Sequence, residues 1–135
     1  MNTEISNLLE AARCARRAAY APYSSFAVGA ALLTRSGRVF TGVNVENISF
    51  GLTMCAERVC IGAAVAAGER EFVAMAIAAG ADTPAVPCGA CRQVIAEFNP
   101  SLDIACGATD GSIERFKLTE LLPRPQQGLD VPRRT

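Results

Sequence analysis

Phe72-Val73-Ala74-Met75-Ala76-Ile77-Ala78-Ala79 is an unbroken apolar run of strand length. A loop marked by Pro84 and Pro87 follows it, then a helical stretch from Gly89 to Phe98 that stops at Asn99-Pro100. Leu102 to Cys106 is another buried strand. Strand, helix and strand in that order predict a crossover, and hence a partly parallel sheet covered on both faces. Upstream, Glu4 to about Tyr20 reads as a helix ended by Pro22, with Ile5, Leu8, Leu9, Ala12 and Ala19 on its apolar face. Phe26–Leu33 and Arg38–Val43 are strands joined by a Ser36-Gly37 turn, the pattern of a β-hairpin. Residues 44–53 form a polar loop, and Cys55 to Ala67 a helix closed by Gly68. Ile113–Lys117 is an edge strand and Leu118–Leu122 a short last helix. The predicted order is α-β-β-α-β-α-β-β-α.

The chain has 135 residues, half of them apolar and 19% charged, which suits one domain with an ordinary core. Lys+Arg and Asp+Glu are 13 each, so there is no electrostatic case for nucleic acid or an anionic membrane as partner. The charge-free stretches Val59–Gly68 and Phe72–Ala81 fall well short of the roughly 20 residues that span a bilayer. The N-terminus, Met1-Asn2-Thr3-Glu4, lacks a basic region leading into an apolar run. The expected location is the cytoplasm. A domain over residues 1–122 is expected, with a tail over 123–135 that carries three prolines, one glycine and three arginines.

There is no histidine, which removes Ser–His and Cys–His mechanisms and any imidazole metal ligand. The six cysteines (Cys14, Cys55, Cys60, Cys88, Cys91, Cys106) are read as reduced. Two fragments carry chemistry: Cys55-Ala56-Glu57, and Pro87-Cys88-Gly89-Ala90-Cys91, 33 residues on. Each lies at a predicted helix N-terminus after a loop. Three thiolates hold one Zn²⁺ and leave a fourth position open, where a water loses its proton easily. Helix N-termini offset the negative charge of the thiolates, and Arg58 adds a charge-assisted hydrogen bond to one of them. Glu57 is placed to take a proton from water and pass it to a leaving group. Cys60, five residues after Cys55, lies about 140° round an ideal helix and points elsewhere. Cys14, Cys60 and Cys106 are expected as small core residues.

Cys-Ala-Glu with Pro-Cys-x-x-Cys is the zinc-deaminase signature with cysteine as first ligand. The chain resembles the small, homotetrameric cytidine deaminases. The matching stretches are Tyr23–Leu32, Gly42–Asn47, Cys55–Arg58 and Pro87–Val94, in order across most of residues 5–122. The resemblance implies an α/β fold, a three-layer α/β/α sandwich around a five-stranded mixed sheet. It implies one zinc per chain on Cys55, Cys88 and Cys91, with Glu57 as the proton shuttle. It implies that Asn44 and Glu46 bind ribose hydroxyls and that Phe26 packs on the pyrimidine. The backbone N–H of Ala56 and the carbonyl of Val86 would read the base edge.

The implied reaction is hydrolytic deamination of cytidine or deoxycytidine to uridine or deoxyuridine with release of ammonia, a step of pyrimidine salvage. The implied assembly is a homotetramer with active sites near subunit interfaces, with a nucleoside as its small-molecule partner. Three positions depart from the family pattern: Phe50 replaces a tyrosine, Val86 a serine or threonine, and Arg124-Pro125-Gln126 follows Leu121-Leu122-Pro123 where an aromatic is frequent. The same residues admit other readings. One is a deaminase of a related aminopyrimidine such as blasticidin S or a modified cytidine. Another is a non-enzymatic structural zinc or redox domain.

Overall fold

The computed structural model describes residues 3–126. The element order is α1 (Thr3–Arg16), β1 (Val28–Thr34), β2 (Val39–Val43), a 3₁₀ turn at Phe50–Leu52, α2 (Ala56–Ala66), β3 (Phe72–Ala79), α3 (Gly89–Phe98), β4 (Asp103–Gly107), β5 (Ile113–Lys117) and α4 (Leu118–Leu121). The strands form one mixed sheet in the order β2-β1-β3-β4-β5. Only β3 and β4 pair in parallel; the other three pairings are antiparallel. The β3-α3-β4 segment is thus the crossover read from the sequence. β2 and β3 also run the same way, joined by α2, with β1 lying between them.

Alternate residues of the strands face opposite layers, as a pleat requires. Ala31 and Leu33 of β1, with Ala74, Ala76 and Ala78 of β3 and Ala105 of β4, pack under Ile5, Leu8, Leu9 and Ala12 of α1. Ala30, Leu32, Met75, Ile77, Ile104 and Cys106 pack on the other face with residues of α2, α3 and α4, among them Ala56, Cys60, Ile61, Ile95 and Leu118. The result is the three-layer α/β/α sandwich with a five-stranded mixed sheet.

Two glycines let helices approach the sheet closely. A Cβ on Gly42 of β2 would stand 2.5 Å from both the Ala56 carbonyl oxygen and the Cys60 nitrogen of α2. A Cβ on Gly29 of β1 would stand 2.1 Å from the Ala12 carbonyl oxygen of α1. The end of α2 follows the Gly68 signal. Gly68 has φ +94°, its N–H donates to Val65 O and that of Glu69 to Ala64 O, which is the Schellman pattern.

The structure corrects several readings, among them the first strand, which runs Val28–Thr34 rather than Phe26–Leu33. α1 ends at Arg16 rather than near Tyr20, so Ala19 lies outside it. Tyr20 is drawn instead into backbone pairing with residues 44–46: its N–H donates to Asn44 O and its carbonyl accepts from Glu46 N–H. Cys14 is exposed, not a core residue, because it lies off the Ile5/Leu8/Leu9/Ala12 face of α1. Cys60 and Cys106 are buried in the core. Another correction is small: β4 runs Asp103–Gly107, one residue later than the apolar run suggests. Of the segment expected as a tail, residues 123–126 are described, and Gln126 is hydrogen-bonded to Gln93 of α3. Residues 127–135 lie outside the described residues.

Candidate metal centre and active site

α2 and α3 both begin at one end of the sheet, beside the loop 80–88 that follows β3. Cys55 is the N-cap of α2 and Cys88 the N-cap of α3, and neither cap is closed by a side-chain hydrogen bond. Cys91 lies in the first turn of α3. The Sγ atoms of Cys55 and Cys88 are 4.0 Å apart and those of Cys88 and Cys91 3.5 Å. All three lie within 4.8 Å of one another. Tetrahedral zinc with bonds of about 2.3 Å separates its sulfurs by roughly 3.8 Å, so this donor set fits the ion. Three ligands also leave the fourth position for a non-protein group. Cys91 is buried, Cys55 half-buried and Cys88 exposed.

Electrostatics favour the thiolate at Cys55. The Cys55 thiol is pulled down to about 5, first by a hydrogen bond from Cys91 and then by Arg58, against the effect of burial. Cys91 moves the other way, because it donates to Cys55 and is buried. Arg58 Nη2 lies 3.3 Å from Cys55 Sγ and 3.4 Å from Thr53 O, while its Nε is buried without a hydrogen-bond partner among the described residues. The Glu57 carboxyl is held above its ordinary value, chiefly by burial and next by the charge of Cys55. A carboxyl so placed takes up a proton more readily than an exposed one, which suits a proton carrier.

A cavity of about 200 Å³ opens beside these groups. Cys55, Ala56, Glu57 and Cys88 line it, as do Phe26, Asn44 and Val86. Val28, Thr53, Ile77 and Ala85 complete the wall. Sequence reasoning does not reach these last four. Thr53 had a signal, two residues before Cys55; Val28, Ile77 and Ala85 are indistinguishable in sequence from core or loop residues.

The Asn44 side chain ties the end of β2 to the start of β1: its Nδ2 donates to Phe26 O at 2.8 Å and its Oδ1 accepts from Val28 N–H at 2.9 Å. One N–H of the amide and one oxygen lone pair are left for a ligand. Glu46 is not among the residues lining the cavity. Its Oε1 accepts from the N–H groups of Tyr23 and Ser24, at 2.9 and 3.1 Å, and its Oε2 from the Ser24 hydroxyl. These bonds hold the carboxyl below its ordinary value, the hydroxyl contributing most. They also brace the turn in which Ser25 adopts φ +59°, just before Phe26.

Outside the cavity mouth, Ile48, Phe50 and Leu52 are exposed by 79, 75 and 66%. The Phe50 ring meets that of Tyr23 edge-on, with centroids 6.1 Å apart.

Comparison with known proteins bears on these residues. A family model described as the cytidine and deoxycytidylate deaminase zinc-binding region matches residues 2–106. A cytidine deaminase of Halalkalibacterium halodurans is 48% identical over 117 residues, covering 86% of this chain and 89% of the relative. One from Sporosarcina psychrophila is 45% identical over 121 residues, covering 89% of each. The crystal structure of a cytidine deaminase from Burkholderia pseudomallei superposes with a TM-score of 0.87 at 46% identity, covering 93% of this chain and all of that one.

Proposed function

This chain belongs to the cytidine and deoxycytidylate deaminase family, and from that premise we propose how its residues divide the work of a zinc-dependent cytidine deaminase. The enzyme hydrolyses the C4–amino bond of the pyrimidine: cytidine or deoxycytidine and water give uridine or deoxyuridine and ammonia. The observation that carries the assignment of roles is that Cys55, Glu57 and Cys88 line a single cavity, with the Cys91 sulfur within 4.8 Å of those of Cys55 and Cys88.

Cys55, Cys88 and Cys91 hold the zinc. When bound, the ion acts as a Lewis acid that lowers the pKa of a water. Glu57 takes the proton of the attacking water and delivers it to the departing amino group. Burial raises the Glu57 carboxyl above its ordinary value, the direction that a group which both takes and gives a proton needs. Arg58 shares the charge of the Cys55 thiolate. The apolar wall residues, Phe26 and Val86 among them, suit a planar base. The Ala56 N–H at the first turn of α2, and the Val86 carbonyl, read its edge. Asn44 and Glu46 take ribose hydroxyls. For Glu46 this means sharing its carboxylate with, or taking it from, the Ser24 loop.

Residues 1–122 form the catalytic unit and 123–135 the tail. The chain works in the cytoplasm as a homotetramer with its pockets near subunit interfaces. Two observations support that assembly. The exposed apolar residues Ile48, Phe50 and Leu52 lie next to Thr53 of the cavity wall. α2 turns the small residues Gly62 and Ala63 outward. No helix among the described residues is long and apolar enough to cross a membrane.

The test is ammonia release with loss of cytidine absorbance on the zinc-loaded chain, beside Glu57→Ala. Turnover that disappears in the variant supports the assignment. Turnover that persists removes Glu57 from its role. Sedimentation of the same sample reads the assembly, and a fully active monomer overturns the tetramer.

A further inference from the structure

We propose that Arg92 is a positioning residue for the zinc-binding loop, coupling that loop to the C-terminal segment of the chain; the inference rests on the zinc-enzyme reading above. Arg92 follows Cys91 in α3, and its side chain folds back toward the helix start, the direction helical side chains lean. Its Nε donates to Pro87 O at 2.7 Å. Its Nη1 donates to Leu121 O at 2.9 Å.

Pro87 is fully buried and immediately precedes Cys88. Proline has no N–H, so the carbonyl is the only backbone group by which this residue can be fastened. Arg92 takes that group. Leu121 is the last residue of α4, where carbonyls lack partners within the helix. The guanidinium is planar with donors in a fixed fork, so it sets the spacing of the two carbonyls it joins.

The far end of this link is itself anchored. Leu118 is fully buried, and its N–H donates to Leu102 O at 2.9 Å, just before β4. The next residue of α3 repeats the fastening. Gln93 Nε2 donates to Gln126 O at 3.3 Å, and Gln126 N–H donates to Gln93 Oε1 at 2.9 Å. Two consecutive side chains of α3 therefore bind residues 121–126 beside the loop that bears Val86 and Cys88. Cys88 is the exposed ligand of the three, so its sulfur is placed by its backbone more than by packing. Val86, one residue before Pro87, is a wall of the cavity. Arg92 thus governs both how firmly the third ligand is held and where the base sits.

The test uses the zinc-loaded full chain with Arg92→Gln, Arg92→Lys and Gln93→Ala. Three readouts are taken: zinc transfer to a chromophoric chelator, kcat and KM for cytidine, and thermal midpoint. Arg92→Gln is expected to release zinc about 10- to 100-fold faster, the range seen when groups that orient metal ligands are removed, with KM raised several-fold. Arg92→Lys, which cannot span both carbonyls, falls between it and the parent. Gln93→Ala, which leaves the Pro87 bond in place, changes zinc release less than Arg92→Gln. Zinc release and KM within twofold of the parent in folded Arg92 variants overturn the proposal, even if the midpoint falls. Where Arg92→Gln does not fold, Arg92→Lys decides on the same readouts. The chelator measurement reads the coupling even if the parent does not turn over cytidine, so failure of the deaminase reading is separately visible.

Discussion

Arg58 Nη2 stands 3.3 Å from the Sγ of Cys55, one turn back at the start of the same helix. Three thiolates on a divalent ion leave one negative charge in excess, and that excess works against acidifying a bound water. The guanidinium removes part of it at the ligand itself. Arg58→Gln is therefore expected to lower kcat/KM by about 10- to 100-fold while the fold persists. Steady-state kinetics and circular dichroism of the same sample check this; an unchanged kcat/KM removes the charge argument.

Glu57→Gln keeps the shape of the side chain and removes its proton exchange. Turnover is expected to fall at least about 10²–10⁴-fold, the range for a lost acid–base group, with one zinc per chain still bound by elemental analysis. Stability should move the other way. Burial keeps the Glu57 carboxyl protonated to a higher pH in the folded chain than in the unfolded one. Its contribution is therefore fully present below the ordinary carboxylate value and is lost as pH rises above it. In the metal-free protein the glutamine variant should match the parent at acid pH and unfold at a higher temperature at pH 7.

Serine in place of Cys55, Cys88 or Cys91 is expected to bring zinc below one per chain and to lower the thermal midpoint, since metal binding energy adds to folding energy. Alanine in place of Cys60 or Cys106 should leave the zinc content at one. Cys60 donates from its Sγ to Phe40 O at 3.1 Å within the core and takes no part in the three-sulfur group. Zinc content of the purified variants distinguishes the two sets.

Gly42→Ala is expected to destabilise the chain by about 1–3 kcal/mol, as overpacking does. The added methyl meets backbone atoms of Ala56 and Cys60, which cannot turn aside. The only relief is to lift the start of α2, and that displaces Cys55 and Glu57. Zinc affinity and kcat should fall together in this variant, although residue 42 touches neither metal nor substrate. Denaturant unfolding and chelator competition give the two numbers.

Burial pushes the Cys60 and Cys106 thiols up to about 12, against roughly 8.5 for an exposed thiol. A group raised in the folded state stabilises it fully below the unfolded value, and that contribution is lost as pH climbs toward the folded one. Stability should therefore fall between about pH 8.5 and 12, by up to about 1.4 kcal/mol per pH unit for each thiol. Cys106→Ala should flatten that slope whatever it does to the absolute stability. Urea midpoints at several alkaline pH values check it.

Much of this architecture is legible in the chain because local and tertiary demands agree there. Phe72–Ala79, Gly89–Phe98 and Ile113–Lys117 have the boundaries their apolar patterns and breakers suggest. Disagreement arises where a distant partner decides. Tyr20 has a helical neighbourhood but pairs with residues 44–46 across the fold. The Cys55 and Cys88 fragments point to metal chemistry by residue type and by resemblance, and the structure brings their sulfurs within 4.8 Å of that of Cys91. Glu46 does not announce that its carboxylate is engaged by the Ser24 loop, because that bond joins residues 22 apart through the turn at Ser25. Nor does the sequence Cys91-Arg92 disclose a link to Leu121, 29 positions on. Such contacts follow from topology, which residue identity constrains only weakly.

The two halves of the metal site lie on α2 and α3, with β3 between them in the chain. In the folded chain their sulfurs are brought together around β3, which pairs with β1 on one side and β4 on the other. A site that needs this sheet in place is expected to be completed late along the folding route. A ligand that needs a nearly native arrangement leaves the rate of folding alone and slows unfolding. Zinc is then expected to act as a kinetic lock, setting how long the native state lasts while leaving the rate at which it is reached nearly unchanged.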